Sequence, residues 1–171
     1  MSDFDTCIEK VLRHEGGYVN DENDLGGETN LGVTKNTYTQ WCMEQDLLVK
    51  DMKDLTVDDV KPIYKRLFWE RMMCDDLPVG LRYFVFDFGI NSGTGRAVKF
   101  LQKLAGSVED GAMGPKTLEA VKQQDAVHMV DDIFEMRQEF YESLDSFKHF
   151  GRGWTKRNNE VHKDSLRMIV S

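Results

Sequence analysis

Ten residues, from Leu81 to Ile90, form a nearly continuous apolar run broken only by Arg82, Asp87 and Gly89. Such a run has to be covered on every side, because otherwise its aromatic rings would face water. It is too short to span a membrane, which takes roughly 18 residues or more. Every neighbouring segment carries a helical period, so the run predicts a buried central helix rather than a strand. The fold class that follows is all-α, mainly helical.

The rest of the chain fits that frame. Phe4, Ile8, Val11 and Leu12 share one helical face, with Ser2 or Asp3 placed to cap it and Gly16-Gly17 to stop it. Residues 18–33 are rich in Gly, Asn and Asp and predict a loop or small β-hairpin. A helix is expected from about Thr34 to Gln45. Another opens at Thr56 with Asp59 as its capping partner and carries Tyr64, Leu67, Phe68 and Met72, with Pro62 implying a kink or a later start. After the turn Asn91–Gly95, helices are expected through Val98 to Gly106, from Pro115, and over Asp125–Leu144. Gly151-Arg152-Gly153-Trp154 predicts a break before a terminal helix near Asn159–Ile169. A boundary near Pro78 divides the chain into 1–80 and 81–171, two lobes of one compact body.

Composition excludes several classes. The 171 residues carry a formal net charge of −8, which argues against nucleic-acid binding. That charge is uneven: residues 1–30 hold eight acids against Lys10 and Arg13, whereas Lys148–Arg167 holds six bases against Glu160 and Asp164. These read as solvated surfaces of opposite sign, or as a basic tail for an anionic polymer. Cys7, Cys42 and Cys74 are isolated and odd in number, so reduced buried thiols are expected and neither a disulfide framework nor a metal site. No metal or other cofactor is expected, no membrane insertion, and a monomer. The acidic start Met1-Ser2-Asp3-Phe4-Asp5 lacks a signal-peptide pattern, which implies synthesis and retention in a cytoplasm until release.

Catalytic chemistry concentrates at one place. Glu15 stands where the first helix should run out into Gly16-Gly17-Tyr18, and Asp24 follows nine residues later, then Thr29 and Asn30. A general acid needs a carboxyl group still protonated near neutral pH, which apolar surroundings favour. Tyr18 can wall in Glu15, and the glycines leave room for a substrate backbone. A second carboxylate, with Asp24 leading and Glu28 as rival, can stabilise an oxocarbenium-like transition state, attack it or activate water. The plainer alternative is that Glu15 ends a helix, Asp24 shapes a turn and Glu28 is an exposed loop charge. Asp87 and Asn91, four apart, can share one helix face and line a cleft, or else satisfy buried groups. Tyr18, Trp41, Trp69 and Trp154 can stack on sugar rings; Trp154, among Arg152, Lys156 and Arg157, is the better surface candidate, while Trp41 and Trp69 read as core. His14 beside Glu15 belongs to no metal pattern.

Glu15-Gly16-Gly17-Tyr18 and Asp24-x-Gly26-Gly27-x-Thr29-Asn30-x-Gly32-Val33-Thr34 resemble the signature of glycoside hydrolase family 108, the bacterial and phage peptidoglycan muramidases. The spacing is also similar to phage-type lysozymes, in which Glu, eight residues, Asp, five residues and Thr make the catalytic set. Here the same count ends on Asn30, with Thr29 one residue early, so the third role stays open between them. Downstream, Phe86–Gly93, Arg96-Ala97-Val98-x-Phe100-Leu101-Gln102, Asp110-Gly111-x-x-Gly114-Pro115 and Gly153-Trp154-x-x-Arg157 resemble the peptidoglycan-associated region that accompanies this family.

The resemblance implies a lysozyme-like fold, a catalytic lobe in 1–80 and a wall-binding lobe in 81–171. It implies Glu15 as proton donor to the β-1,4 bond between N-acetylmuramic acid and N-acetylglucosamine, and Asp24 on the opposite face. The partner is then the peptidoglycan glycan strand, met in the periplasm after the membrane is permeabilised, as an endolysin meets it. The competing readings are a non-catalytic peptidoglycan binder and a secretion-assisting protein on the same fold.

Overall fold

The computed structural model describes residues 2–20 and 27–171, so Asp24 lies outside the described residues. The chain divides into two compact units, Met1–Leu67 and Phe68–Ser171. The described residues are mainly helical with one small antiparallel hairpin, as the sequence predicts. No helix among them is long and apolar enough to cross a membrane.

In the first unit, α1 (Asp3–Leu12) buries Phe4, Cys7, Ile8 and Val11 along the predicted face. Ser2 and Asp5 cap it reciprocally: the Asp5 amide donates to Ser2 Oγ at 3.2 Å, and the Ser2 amide donates to the Asp5 carboxylate at 3.2 Å. The helix ends earlier than Gly16-Gly17 implies. Its last carbonyls are met by a tightened turn, with Arg13 N–H on Lys10 O at 3.3 Å and His14 N–H on Val11 O at 2.9 Å, so no left-handed glycine is needed. Glu15 therefore sits on the bend beyond the helix.

The hairpin falls inside the predicted segment. Strands β1 (Thr29–Asn30) and β2 (Val33–Thr34) pair antiparallel, and Val19 bridges to Thr29. Helix α2 (Lys35–Glu44) starts on Thr34, whose hydroxyl accepts from the Thr37 amide. A 3-10 turn over Met52–Asp54 leads to α3 (Val57–Tyr64). The Asp59 carboxylate accepts from Thr56 N at 2.9 Å and Oγ1 at 2.8 Å, so the predicted capping pair forms. Pro62 does not delay the start. It lies within α3, removes one backbone donor, and is followed by wider π-helical turns over Lys65–Glu70.

The second unit holds α4 (Leu81–Ser92), α5 (Thr94–Ala105), α6 (Pro115–Lys122), α7 (Ala126–Glu142) and α8 (Phe147–Val170). Helix α4 is the buried central helix expected from its sequence: Leu81 and every residue from Tyr83 to Gly89 are buried, and α5, α7 and α8 pack on it. Trp69 meets Phe86 edge-on at 5.1 Å and is fully buried, as expected, whereas Trp41 is only half-buried. All three cysteines are buried thiols.

The C-terminal reading needs correction. Gly151 and Gly153 do not break the chain, and α8 runs unbroken from Phe147 to Val170. The ring of Phe147 lies across Gly151, where a Cβ would come within 2.6 Å of it, so that glycine is a packing site inside the helix. Each interior glycine costs a helix about 1 kcal/mol, which the packing of α8 against α7 and α4 outweighs.

Asp87 is fully buried on α4. Arg137 Nη2 on α7 donates to its Oδ2 at 2.7 Å, and Arg157 Nη2 on α8 donates to its Oδ1 at 2.8 Å. Burial alone would push the Asp87 carboxyl up, but the two guanidinium charges prevail and hold it below the usual carboxylate range. A depressed native value contributes stability above the unfolded-state value, near 4, and that contribution fades as the pH falls toward the native value. Asp87→Asn should therefore lower stability at pH 7 by about 3–5 kcal/mol, by stranding two inward-facing cations. It should also flatten the loss of stability below about pH 4. Urea unfolding of both proteins across pH 2–7 checks both effects.

Candidate active site

Glu15 is half-buried, and its carboxylate lies against the hairpin turn. That turn has two central residues, Leu31 and Gly32, between the paired Asn30 and Val33. Both have positive φ, +50° and +76°, the signature of a type I′ hairpin turn. Leucine rarely takes this conformation. Tyr64 holds it there, donating its hydroxyl to the Leu31 carbonyl at 2.9 Å. A Cβ on Gly32 would fall 2.3 Å from Tyr64 Oη and 2.9 Å from Glu15 Oε2. Two functional groups from opposite ends of the unit thus converge over one glycine. Gly16 and Gly17, next to Glu15, have neither a positive φ nor an atom of the described residues within 4 Å of where a Cβ would stand.

The neighbouring candidates differ in what they are free to do. Asn30 is buried, and its Nδ2 donates to the Met52 carbonyl at 2.7 Å, which ties the hairpin to the 3-10 turn. Thr29 is half-buried, and its hydroxyl makes only a 3.5 Å contact with Gly27 O. Tyr18 donates its hydroxyl to Glu28 Oε1 at 2.9 Å, and Lys53 Nζ stands 5.3 Å from its ring centre. Glu28 is not the loosely exposed loop charge first expected, since Lys35 Nζ donates to its other oxygen at 2.5 Å. Those bonds, Lys35 first and Tyr18 second, hold the Glu28 carboxyl below its ordinary range. A carboxylate bound this way is a brace for the hairpin. Burial, with Glu28 second, pushes the Tyr18 hydroxyl up.

The other candidates lie in the second unit. Asp87 is enclosed by its two arginines. Asn91, one turn along α4, is exposed, and its Oδ1 accepts from the Tyr141 hydroxyl. Tyr141 accepts in turn from Arg137 Nε at 2.7 Å. Trp154 is half-buried, stacked on Phe150 at 5.9 Å and tilted against Tyr141 at 5.3 Å. Asn91 and Trp154 line one groove together with Arg96 and Tyr141. Among the described residues no three His, Cys, Asp or Glu side chains gather as a metal site requires.

Sequence reasoning missed Tyr64, 49 positions after Glu15, having read it only as an apolar helix position. It also missed Arg137 and Tyr141, whose spacing of four on α7 matches that of Asp87 and Asn91 on α4. That matching spacing was the available signal.

A family model described as "Glycosyl hydrolase 108" matches residues 8–93, and one described as "Predicted Peptidoglycan domain" matches residues 96–159. The solved structure of Brucella abortus SagA is 36% identical, covers 98% of this chain and 96% of its own, and superposes with a TM-score of 0.85. No curated protein matches the chain.

Gly32→Ala should be damaging for two reasons. It places a Cβ at positive φ and drives it into the Tyr64 hydroxyl and the Glu15 carboxylate. A loss of about 1–3 kcal/mol is expected from the backbone conformation alone, read by chemical denaturation. Gly17→Ala, at an open position of ordinary φ, should stay within about 0.5 kcal/mol of the parent.

Proposed function

The chain belongs to glycosyl hydrolase family 108, and from that premise we propose that this peptidoglycan-acting glycosidase is an endolysin-type N-acetylmuramidase. It cleaves the β-1,4 bond between N-acetylmuramic acid and N-acetylglucosamine. Glu15 is the general acid: it passes its proton to the bridging oxygen, which leaves as the glucosamine hydroxyl. Water supplies the new oxygen at the muramic acid anomeric carbon. Asp24 is the second carboxylate such cleavage uses, meeting the positive charge that develops on the sugar ring or directing the water.

The observation that carries this reading is the placement of Glu15. Its carboxylate rests on a turn held in an uncommon conformation by Tyr64, and no described residue comes within 4 Å of where a Cβ on Gly16 or Gly17 would stand. Backbone strain of this kind gathers where a side chain has to be held in one geometry. For the third role we favour Thr29 over Asn30, because Asn30 is buried and its amide is committed to Met52. Tyr18, anchored through its hydroxyl, offers its ring to a sugar. Asp87 takes no part in substrate contact. The enzyme acts as a monomer on the periplasmic wall once the inner membrane has been permeabilised.

Glu15→Gln keeps the shape of the side chain but removes the transferable proton. The variant should fold normally by circular dichroism and lose about 10²–10⁴-fold in the rate of wall solubilisation, the usual worth of general acid help. Mass analysis of fragments from the parent protein should find muramic acid at the new reducing ends. Full activity in Glu15→Gln would remove Glu15 from the mechanism. Reducing-end glucosamine, an anhydro-sugar or freed peptide would assign a different bond, and wall binding without any release would leave only a binder.

A further inference from the structure

We infer that a groove in the second unit, lined by Asn91 and Ser92 of α4, Arg96 of α5, Tyr141 of α7 and Trp154 of α8, binds one disaccharide-peptide unit of the wall through a sugar ring and a stem-peptide carboxylate. The identity of the polymer rests on the proposed function; the chemistry of the groove stands on its own geometry.

The groove encloses about 160 Å³, room for a single sugar residue. Its polar groups are oriented from within. Arg137 Nε can only donate, so the Tyr141 oxygen accepts from it and sends its own hydrogen onward to Asn91 Oδ1. Ser92 Oγ donates to the same Asn91 oxygen at 3.0 Å. With Oδ1 doubly engaged and no acceptor among the described residues bonded to Nδ2, Asn91 has those donors left for a ligand. The buried Asp87–Arg137 pair thereby sets the polarity of a surface amide.

Arg96 adds charge. Its guanidinium lies 4.3 Å over the Phe140 ring, and Nη1 donates to Ser92 O at 2.9 Å. No carboxylate among the described residues forms a salt bridge with it, which leaves donors and a full positive charge at the edge of the groove. Planar guanidinium groups held this way suit carboxylates. The groove side chains therefore present donors and a cation, which selects an acceptor-rich anion. Trp154 supplies the other half of the recognition. It is half-buried and backed by Tyr141 and Phe150, and Phe150 is itself 60% exposed and extends the aromatic surface. Such a surface fits the apolar face of a pyranose. One molecule that combines an acceptor-rich sugar with nearby carboxylates is a glycan unit still carrying its peptide.

The test uses the full-length parent protein and a purified disaccharide-peptide, glucosaminyl-muramyl-peptide, which lacks the bond proposed to be cleaved and so survives the titration. The indole N–H resonance of Trp154, assigned with Trp154→Phe, reports the groove. It should shift on titration, weaken as salt rises, and respond far less to the neutral N-acetylglucosamine tetrasaccharide. Arg96→Glu, at an exposed position, should weaken that titration about tenfold, the order of one charge-assisted hydrogen bond. Three results would each overturn the inference: a silent Trp154 resonance, equal response to the neutral tetrasaccharide, or unchanged affinity in Arg96→Glu. A protein that releases no sugar from walls but shows the Trp154 shift would retire the muramidase reading and leave the groove standing. Hydrolysis with a silent Trp154 would do the reverse.

Discussion

A carboxylate sealed from water is tolerable only where cations follow it inside, and Asp87 takes two. Around that group the second unit is organised. Helix α4 is otherwise almost wholly apolar, and apolar contacts are non-directional, so they fix how closely helices pack more firmly than how they are rotated. The Asp87 oxygens add direction: Oδ2 accepts from Arg137 on α7, and Arg157 on α8 donates to both, most closely to Oδ1. Helix α8 therefore has one angular setting that satisfies Arg157. The same arginine on α7 reaches Tyr141 and through it Asn91, so an interior charge determines the arrangement of a polar group at the surface.

The first unit solves a different problem with smaller forces. Its two-residue hairpin turn places a leucine at positive φ, at a cost on the order of 1–3 kcal/mol. Several pins hold it: Tyr64 on the Leu31 carbonyl, Asn30 on the Met52 carbonyl, and Glu28 clasped by Tyr18 and Lys35. A typical hydrogen bond is worth about 1 kcal/mol net, so together they are enough to keep the turn in place. The Glu15 carboxylate lies against that pinned turn.

What the sequence discloses here is mostly local. The burial of α4 follows from its run of apolar residues, the Ser2–Asp5 and Thr56–Asp59 caps from spacing within one turn, and the hairpin from a cluster of turn-forming residues. Glu15, Thr29 and Asn30 stand out in a recognisable motif, but their separate duties do not, because the hydrogen bond that commits Asn30 runs to Met52, 22 positions away. Arg137 and Arg157 lie 50 and 70 positions from Asp87, and beyond the shared spacing of four in Asp87–Asn91 and Arg137–Tyr141 no local pattern reveals such pairings. Gly151 misleads for another reason. Propensity counts glycine as a breaker, but propensity is a weak term, and at this site the missing side chain makes room for the ring of Phe147.

Charge invites a similar revision. A chain of net charge −8 is by count poorly matched to an anionic wall, yet at physiological salt fields are screened within about 8 Å, so contact-range groups decide. The C-terminal stretch rich in lysine and arginine is the obvious candidate by count. Its cations are partly committed, however: Arg157 points inward to Asp87, Lys156 lies 3.9 Å from Glu160, and Arg167 lies 3.6 Å from Asp164. Likewise the acids of the first thirty residues include Asp5, paired with Lys61, and Glu28, paired with Lys35. Counting residues therefore misplaces the attraction. What governs contact with an anion is a cation in no salt bridge among the described residues, held by an aromatic ring and backed by oriented donors. Arg96, lying on Phe140 and next to Asn91, has those properties, while the basic stretch has mostly number.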